Sequence, residues 1–391
     1  MGKKEISVVE VKRLIWRWLL KVDIFMERVG TGKKLIALAL IVGVLLMALA
    51  AVYVAPRKEF TLLIGRGYEL AKLSETPFEF IPGNRMQLRI LTPLIAYGVF
   101  LRGEHYVWMP IVIGVIFLSV VYGHFRWRGL SNVESLGVAS LMAFSIPVSL
   151  MLVWVGFTDI TSYLLLLLCI VFIRRSAVWP IFYALALLNH EANLFAAPWL
   201  VLLANMKDFK MKNCVKSLLL LIAAMAPMAV YRYYVGFYGG SVKYSIQYYS
   251  SVKFAMNNLQ NVAGYLFIGI IGAFRLFWVL PLLAIYHLWG VVGRRREAAW
   301  LILVIVCALA QLLFAHDITR LVGLAFPAVL FGAWEMRRVW GRKLFIKRLW
   351  LLIMINVLFL PNFMFSWKYD PLPSLPVVVI YEHLLDFKFR H

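Results

Sequence analysis

Long apolar runs, not an alternation of polar and apolar positions, carry this chain from residue 35 almost to residue 367. Stretches such as 111–121 and 164–173 are apolar nearly without interruption, which reads as helix. The strands of a membrane β-barrel would instead alternate over roughly ten residues. About 20 apolar residues cross the roughly 30 Å of a hydrocarbon core. On that measure the expected spans are 35–55, 105–124, 135–155, 160–173, 177–188, 192–205, 217–235, 263–290, 298–315, 321–336 and 349–367. The fold class this predicts is an all-α polytopic integral membrane protein of about eleven crossings. The shortest central spans need tilting, pairing or burial against neighbours.

Three segments stand outside that ladder. Residues 88–101 are apolar, but a crossing there would invert every later loop, so a re-entrant or interfacial helix is expected. Residues 60–73 read as an amphipathic helix in the headgroup region. Residues 1–34 are basic and amphipathic, with Val8, Val9, Val11, Leu14, Ile15, Trp18 and Leu19 on the apolar side, a pattern that lies on an anionic leaflet. They are too long and polar before Leu35 for a cleaved signal peptide.

Composition agrees with a bilayer setting: of 391 residues 63% are hydrophobic and 15% charged. The formal charge of +22 would indicate nucleic acid in a soluble protein. Here the Lys and Arg fall in blocks between spans, at 3–34, 126–128, 174–175, 207–216, 294–296 and 337–348, so they orient the chain and no nucleic-acid partner is expected. With these blocks cytoplasmic, the N-terminus is inside and 368–391 is an extracytoplasmic tail. The outer loops are then 56–104, 156–159, 189–191, 231–262 and 316–320, on a cell (inner) membrane. Cys169, Cys214 and Cys307 are scattered, with neither disulfide nor metal spacing.

The outer loops hold the candidate chemistry. Asp159 suits either a helix N-cap or a carboxylate that takes a proton from a hydroxyl or holds a cation. Asn189, His190 and Glu191 lie between two very short apolar helices; Leu194 stands where a zinc-protease motif needs its second His. His316, Asp317 and Arg320 share one turn, where Arg320 either clamps Asp317 or binds phosphate bidentately. The first loop carries Arg57, Lys58, Arg66, Lys72 and Arg85, with Arg89 one helical turn further on. Positive charge on the trans side contradicts the orientation rule, and an anionic lipid phosphate would explain it. Tyrosines 231, 233, 234, 238, 244, 248 and 249, with Phe237, form either an interfacial belt or a platform for sugar or lipid.

This layout resembles the GT-C superfamily of polyprenyl-phosphate-dependent membrane glycosyltransferases. The likeness rests on the amphipathic helix of the first outer loop, the Arg-Xaa-Xaa-Xaa-Arg-Xaa-Leu-Thr-Pro stretch from Arg85 to Pro93, the short central helices, and the acidic or His-bearing outer loops at Asp159, His190-Glu191 and 316–320. In that family a first-loop acid, usually Asp, is the base or a metal ligand; this loop has no Asp, only Glu59, Glu69, Glu75 and Glu79. The C-terminal soluble domain of larger members has no counterpart in 368–391.

The expected activity is inverting transfer of a sugar from a lipid-phosphate donor to a glycan, lipid or protein acceptor on the extracytoplasmic face. Asp159, Glu59, Glu69, His190 and Glu191 are the catalytic candidates. Arg85, Arg89, Arg320 and Arg66 are the phosphate candidates, supported by His316, Asp317 and Asn189. Magnesium or manganese would suit the carboxylates. Two rival readings are a transporter or flippase for a lipid-linked or anionic solute and a polymerase or ligase of lipid-linked glycans.

Overall fold

The computed structural model describes residues 33–54, 66–79, 85–153, 155–239, 263–314, 317–358, 362–365 and 368–371, with positions 256, 257 and 260. The basic segment 1–34, the expected helix start at 60–65 and the loop tyrosines 244, 248 and 249 therefore lie outside the described residues, apart from Lys33 and Lys34.

The chain is an α-helical polytopic membrane protein. Among the described residues, six segments are long and apolar enough to cross a bilayer: Lys33–Tyr53, Gly103–Trp127, Met211–Gly236, Leu266–Gly290, Arg295–Leu313 and Ile318–Leu358. About eleven separate crossings were expected from hydropathy. Helix geometry departs from that count for local reasons. The expected 135–155 span is two helices, α5 (Asn132–Ala143) and α6 (Ile146–Val153), broken at Phe144 and Ser145. The helices α7 (Asp159–Val171) and α8 (Trp179–Asn189) are 13 and 11 residues long. At 1.5 Å per residue they rise only about 20 and 17 Å, well short of roughly 30 Å of hydrocarbon. Segment 88–101 yields a 3₁₀ turn at Arg85–Arg89 and an eight-residue helix, α3 (Leu91–Gly98), about 12 Å long. Preceding it is the first-loop helix α2 (Arg66–Glu75).

The last long segment is a hairpin of two legs. Gly341, with φ 69°, interrupts α15 (Phe326–Leu358). On the descending leg Gly332 abuts α12 (Val279–Gly290): a β-carbon there would come within 2.6 Å of Pro281 N, so only glycine permits the approach. On the returning leg Leu349 packs on Gly137 of α5. Beyond it Asn356 Nδ2 donates to Phe274 O, at the end of α11 (Leu266–Phe274), and Asn356 Oδ1 accepts from Leu276 N. Within the expected span 349–367, residues up to Leu358 are described as helix, whereas Asn362–Phe365 is a strand paired antiparallel with Lys368–Pro371.

The basic blocks gather at one end of the bundle. Arg337 bonds Glu134, Arg294 bonds both Glu297 and Glu335, and the Arg296 guanidinium stacks over Phe209 at 5.7 Å. Glu134 also closes a capping box on Ser131 at the start of α5, its Oε2 accepting from Ser131 N at 2.7 Å. Glu335 is fully buried, and its charge is met by Arg294, with Arg338 at 3.5 Å and His287 at 3.8 Å as further partners. The polar clusters at Asp159, Asn189 and Asp317 belong to the opposite end. The core between the two ends is apolar, with the Phe326 ring edge-on to Phe117 at 5.7 Å and to Tyr163 at 5.6 Å. One face of α1 (Lys33–Val54) leaves Ile36, Ile41, Leu45, Leu49 and Val52 exposed, as a lipid-facing helix does.

Candidate functional site

Three helix ends meet at the polar end of the bundle. Gly156, with φ 100°, turns the chain into Thr158, the N-cap of α7, so Asp159 is the first helical residue and not the cap. A carboxylate there is stabilised by the helix dipole. At His190 the backbone is extended (φ −160°, ψ 128°), ending α8 and opening a 3₁₀ turn, Glu191–Ala196. Asp317 precedes the short helix α14 (Ile318–Val322), which presents Arg320 one turn later.

A buried hydrogen-bond frame fixes these ends. Asn189 Nδ2 donates to Thr158 O and Ser162 Oγ, both at 2.8 Å. Its Oδ1 accepts from Thr92 Oγ1 on α3 at 2.5 Å, and Thr92 Oγ1 also lies 2.9 Å from Thr161 Oγ1. Asn193 Nδ2 donates to Ala186 O at 2.7 Å and to Ser162 Oγ at 2.9 Å. One amide, two threonines and a serine thereby tie α3, α7 and α8 together. This sets Arg89, Asp159 and His190 side by side.

Arg320 lies at the centre, its side chain only 4% exposed. Its Nη1 donates to Asp317 Oδ2 at 2.8 Å, its Nε is 3.2 Å from Asp159 Oδ1, and its Nη2 is 3.2 Å from His190 Nε2. The Nε contact is an ion pair off the axis of a hydrogen bond, since Nε has no hydrogen-bond partner. The guanidinium also stacks over the Phe157 ring at 5.2 Å. On the rim, Arg66 of α2 reaches the same Asp317 oxygen at 3.4 Å. Asp159 Oδ2 is buried and without a hydrogen-bond partner.

The second half of the site centres on Glu191. Arg89 Nη2 approaches its Oε1 at 3.4 Å and Arg232 Nη2 its Oε2 at 3.0 Å. Burial pushes the Glu191 carboxyl upward, but Arg89, then His190 and Arg232, outweigh it and hold the group ionised, below the usual carboxylate range. Burial, and then the positive charge of Arg89, hold His190 well below the usual imidazole value, so it is neutral. Its Nδ1 accepts from Ala192 N at 3.0 Å. A neutral imidazole accepts at one ring nitrogen only. The contact to Arg320 therefore competes with that bond.

Of the residues singled out by sequence, Arg66, Arg89, Asp159, Asn189, His190, Glu191, Asp317 and Arg320 converge here. Glu69 is on α2, half-buried. Glu59 and His316 lie outside the described residues, and of Arg85 only the backbone is described, at the start of the 3₁₀ turn. Arg320, expected either to bind phosphate or to clamp Asp317, has its nitrogens turned to two carboxylates and an imidazole. Arg232 was missed. Its signal was the one used for the first loop, a cation in an apolar helix far from the basic end. Asp159 and Asp317 both face Arg320.

α7 and α8 rise only about 20 and 17 Å. The neighbouring α10 (Met211–Gly239) has 29 residues, a rise of about 44 Å. No protein-family model, curated protein or solved structure matches the chain.

Proposed function

We propose that the protein is a membrane glycosyltransferase of GT-C-like design, moving a sugar from a lipid-phosphate donor to an acceptor hydroxyl at the polar end. The basic end would be cytoplasmic and the site extracytoplasmic, in a cell membrane. The observation that carries this reading is Asp159: a buried carboxylate oriented by Arg320 through one oxygen, with the other oxygen free of hydrogen bonds, beside two further guanidiniums.

In the transfer, the acceptor oxygen attacks the sugar anomeric carbon from the face opposite the phosphate, which inverts that carbon. The carbon–oxygen bond to phosphate breaks, and its electron pair leaves on the lipid phosphate. The acceptor proton passes to Asp159 Oδ2. Arginines stabilise the charge that develops on the leaving group. Arg320 acts by holding Asp159.

The test is sugar transfer by the full chain in nanodiscs, using radiolabelled polyprenyl-phosphate hexoses and pentoses as donors. Asp159→Asn retains the shape and the dipole position but removes the proton acceptor. Turnover should drop by about 10²–10⁴, with donor binding near wild type. Undiminished turnover in Asp159→Asn would refute the assignment. Equal, small losses at Asp159, Glu191 and Glu69 would favour solute transport.

A further inference from the structure

We propose that Arg89 and Arg232 form one seat for the phosphate group of a lipid phosphate, and that the Glu191 carboxylate is its built-in occupant, displaced when the phosphate binds. This rests on the glycosyl-transfer reading above.

Glu191 holds the place that two phosphate oxygens would take, one carboxylate oxygen on each guanidinium. It holds it loosely. The contacts, 3.4 and 3.0 Å, exceed the roughly 2.7–2.9 Å of strong charge-assisted bonds. The Glu191 side chain is 38% exposed, whereas Arg89 is 12% and Arg232 22% exposed. The carboxylate is therefore on the mouth side and can swing to water while the arginines stay. Arg232 Nε is buried with no hydrogen-bond partner. Beside Nη2 it is the second donor of one guanidinium edge, the edge that a bidentate phosphate contact uses and a single carboxylate oxygen does not.

The seat is preformed. Tyr231 Oη donates to Gln87 O at 2.7 Å, which ties α10 to the turn carrying Arg89, and Gln87 Nε2 donates to Glu79 O at 2.9 Å. Charge favours the exchange. Arg66, Arg89, Arg232 and Arg320 face three carboxylates, Asp159, Glu191 and Asp317, leaving one positive charge in excess. A donor phosphodiester replaces the charge of Glu191 one for one. When its bond to the sugar breaks, the phosphate gains a second charge, which the excess guanidinium neutralises. The seat thus favours the leaving group over the bound donor, as a catalytic anion site must.

A lipid is the source this position suits. Val230, Tyr233 and Tyr234 flank Arg232 and are exposed, and Leu218, Leu219 and Ile222 continue the exposed face down α10. A headgroup can enter sideways from the bilayer with its chain along that helix.

Binding of farnesyl phosphate and of inorganic phosphate to the full chain in phosphatidylcholine nanodiscs tests this. Glu191→Gln should bind farnesyl phosphate about tenfold or more tightly than wild type, because the competitor is gone. Arg232→Ala should bind it about tenfold or more weakly, and Arg232→Lys should recover only part. Glu191→Gln binding equally or more weakly, with an unchanged melting temperature, would overturn the displacement. Should Glu191→Gln fail to fold, unaltered affinity in Arg232→Ala overturns the seat. Inorganic phosphate competing as well as farnesyl phosphate would overturn the lipid assignment. Binding that follows these variants without any sugar transfer would sink the transferase reading and leave the seat standing; full transfer by Arg232→Ala would do the reverse.

Discussion

Replacing Arg320 by Ala should be the most damaging single change at the polar end. The substitution removes one cation from between two carboxylates, Asp159 and Asp317, each only 13% exposed. Breaking a buried pair by deleting one partner costs about 3–5 kcal/mol, because the remaining charge is left uncompensated. Arg66 can relieve Asp317 only slightly, since it is 49% exposed and such a pair is worth about 0–1 kcal/mol. Asp159 has no described alternative cation in contact. Loss of the stack on Phe157 adds to the cost. The expected total is therefore about 3–5 kcal/mol, read by SDS titration of the reconstituted protein with tryptophan fluorescence. A double-mutant cycle isolates the pair: Asp159→Asn in the Arg320→Ala background should restore about 0.5–3 kcal/mol, where alone it destabilises. A loss below about 1 kcal/mol for Arg320→Ala, the value of a solvated surface pair, would refute the burial argument.

At the basic end, Arg294→Ala leaves fully buried Glu335 with only the more distant Arg338 and His287 and should cost about 3 kcal/mol, whereas Lys210→Ala, whose pair with Asp208 is solvated, should be nearly silent in the same titration. The pH dependence follows from His190: a folded value depressed below the unfolded one means stability present above about pH 6.5 and lost as pH falls below it, by up to about 1.4 kcal/mol per pH unit. His190→Gln should flatten unfolding between about pH 6.5 and 5, and an unchanged slope would show that another group titrates there. Glu191, also depressed, adds its loss only at lower pH, below about 4.5. Single cysteines at Lys210 and Glu104, both exposed and at opposite ends, should label from opposite sides of sealed vesicles; labelling of both from one side would break the two-ended topology.

Sequence alone determined the solvent and picked out most of the polar residues that meet at one end. Apolar runs of helical length can be satisfied only in a bilayer, and cations excluded from hydrocarbon collect in blocks that tertiary contact gathers at one end. Because ionisable groups are costly near lipid, those that interrupt apolar segments stood out individually, and Asp159, His190, Glu191, Arg89 and Arg320 were legible before any coordinates. Tertiary structure decided who faces whom. Arg66 meets Asp317 across 251 positions and Arg320 meets His190 across 130, separations on which hydropathy is silent. It also decided the crossings. A break at Phe144 and the brevity of α7 and α8 turn expected spans into shorter pieces, whereas the reversal at Gly341 falls inside the expected basic turn 337–348, because helix length and backbone angles, and not mean hydropathy, fix how far a segment reaches. Arg232 illustrates the limit: its sequence neighbours are tyrosines, and only the fold brings it to Glu191, where its charge acquires a use.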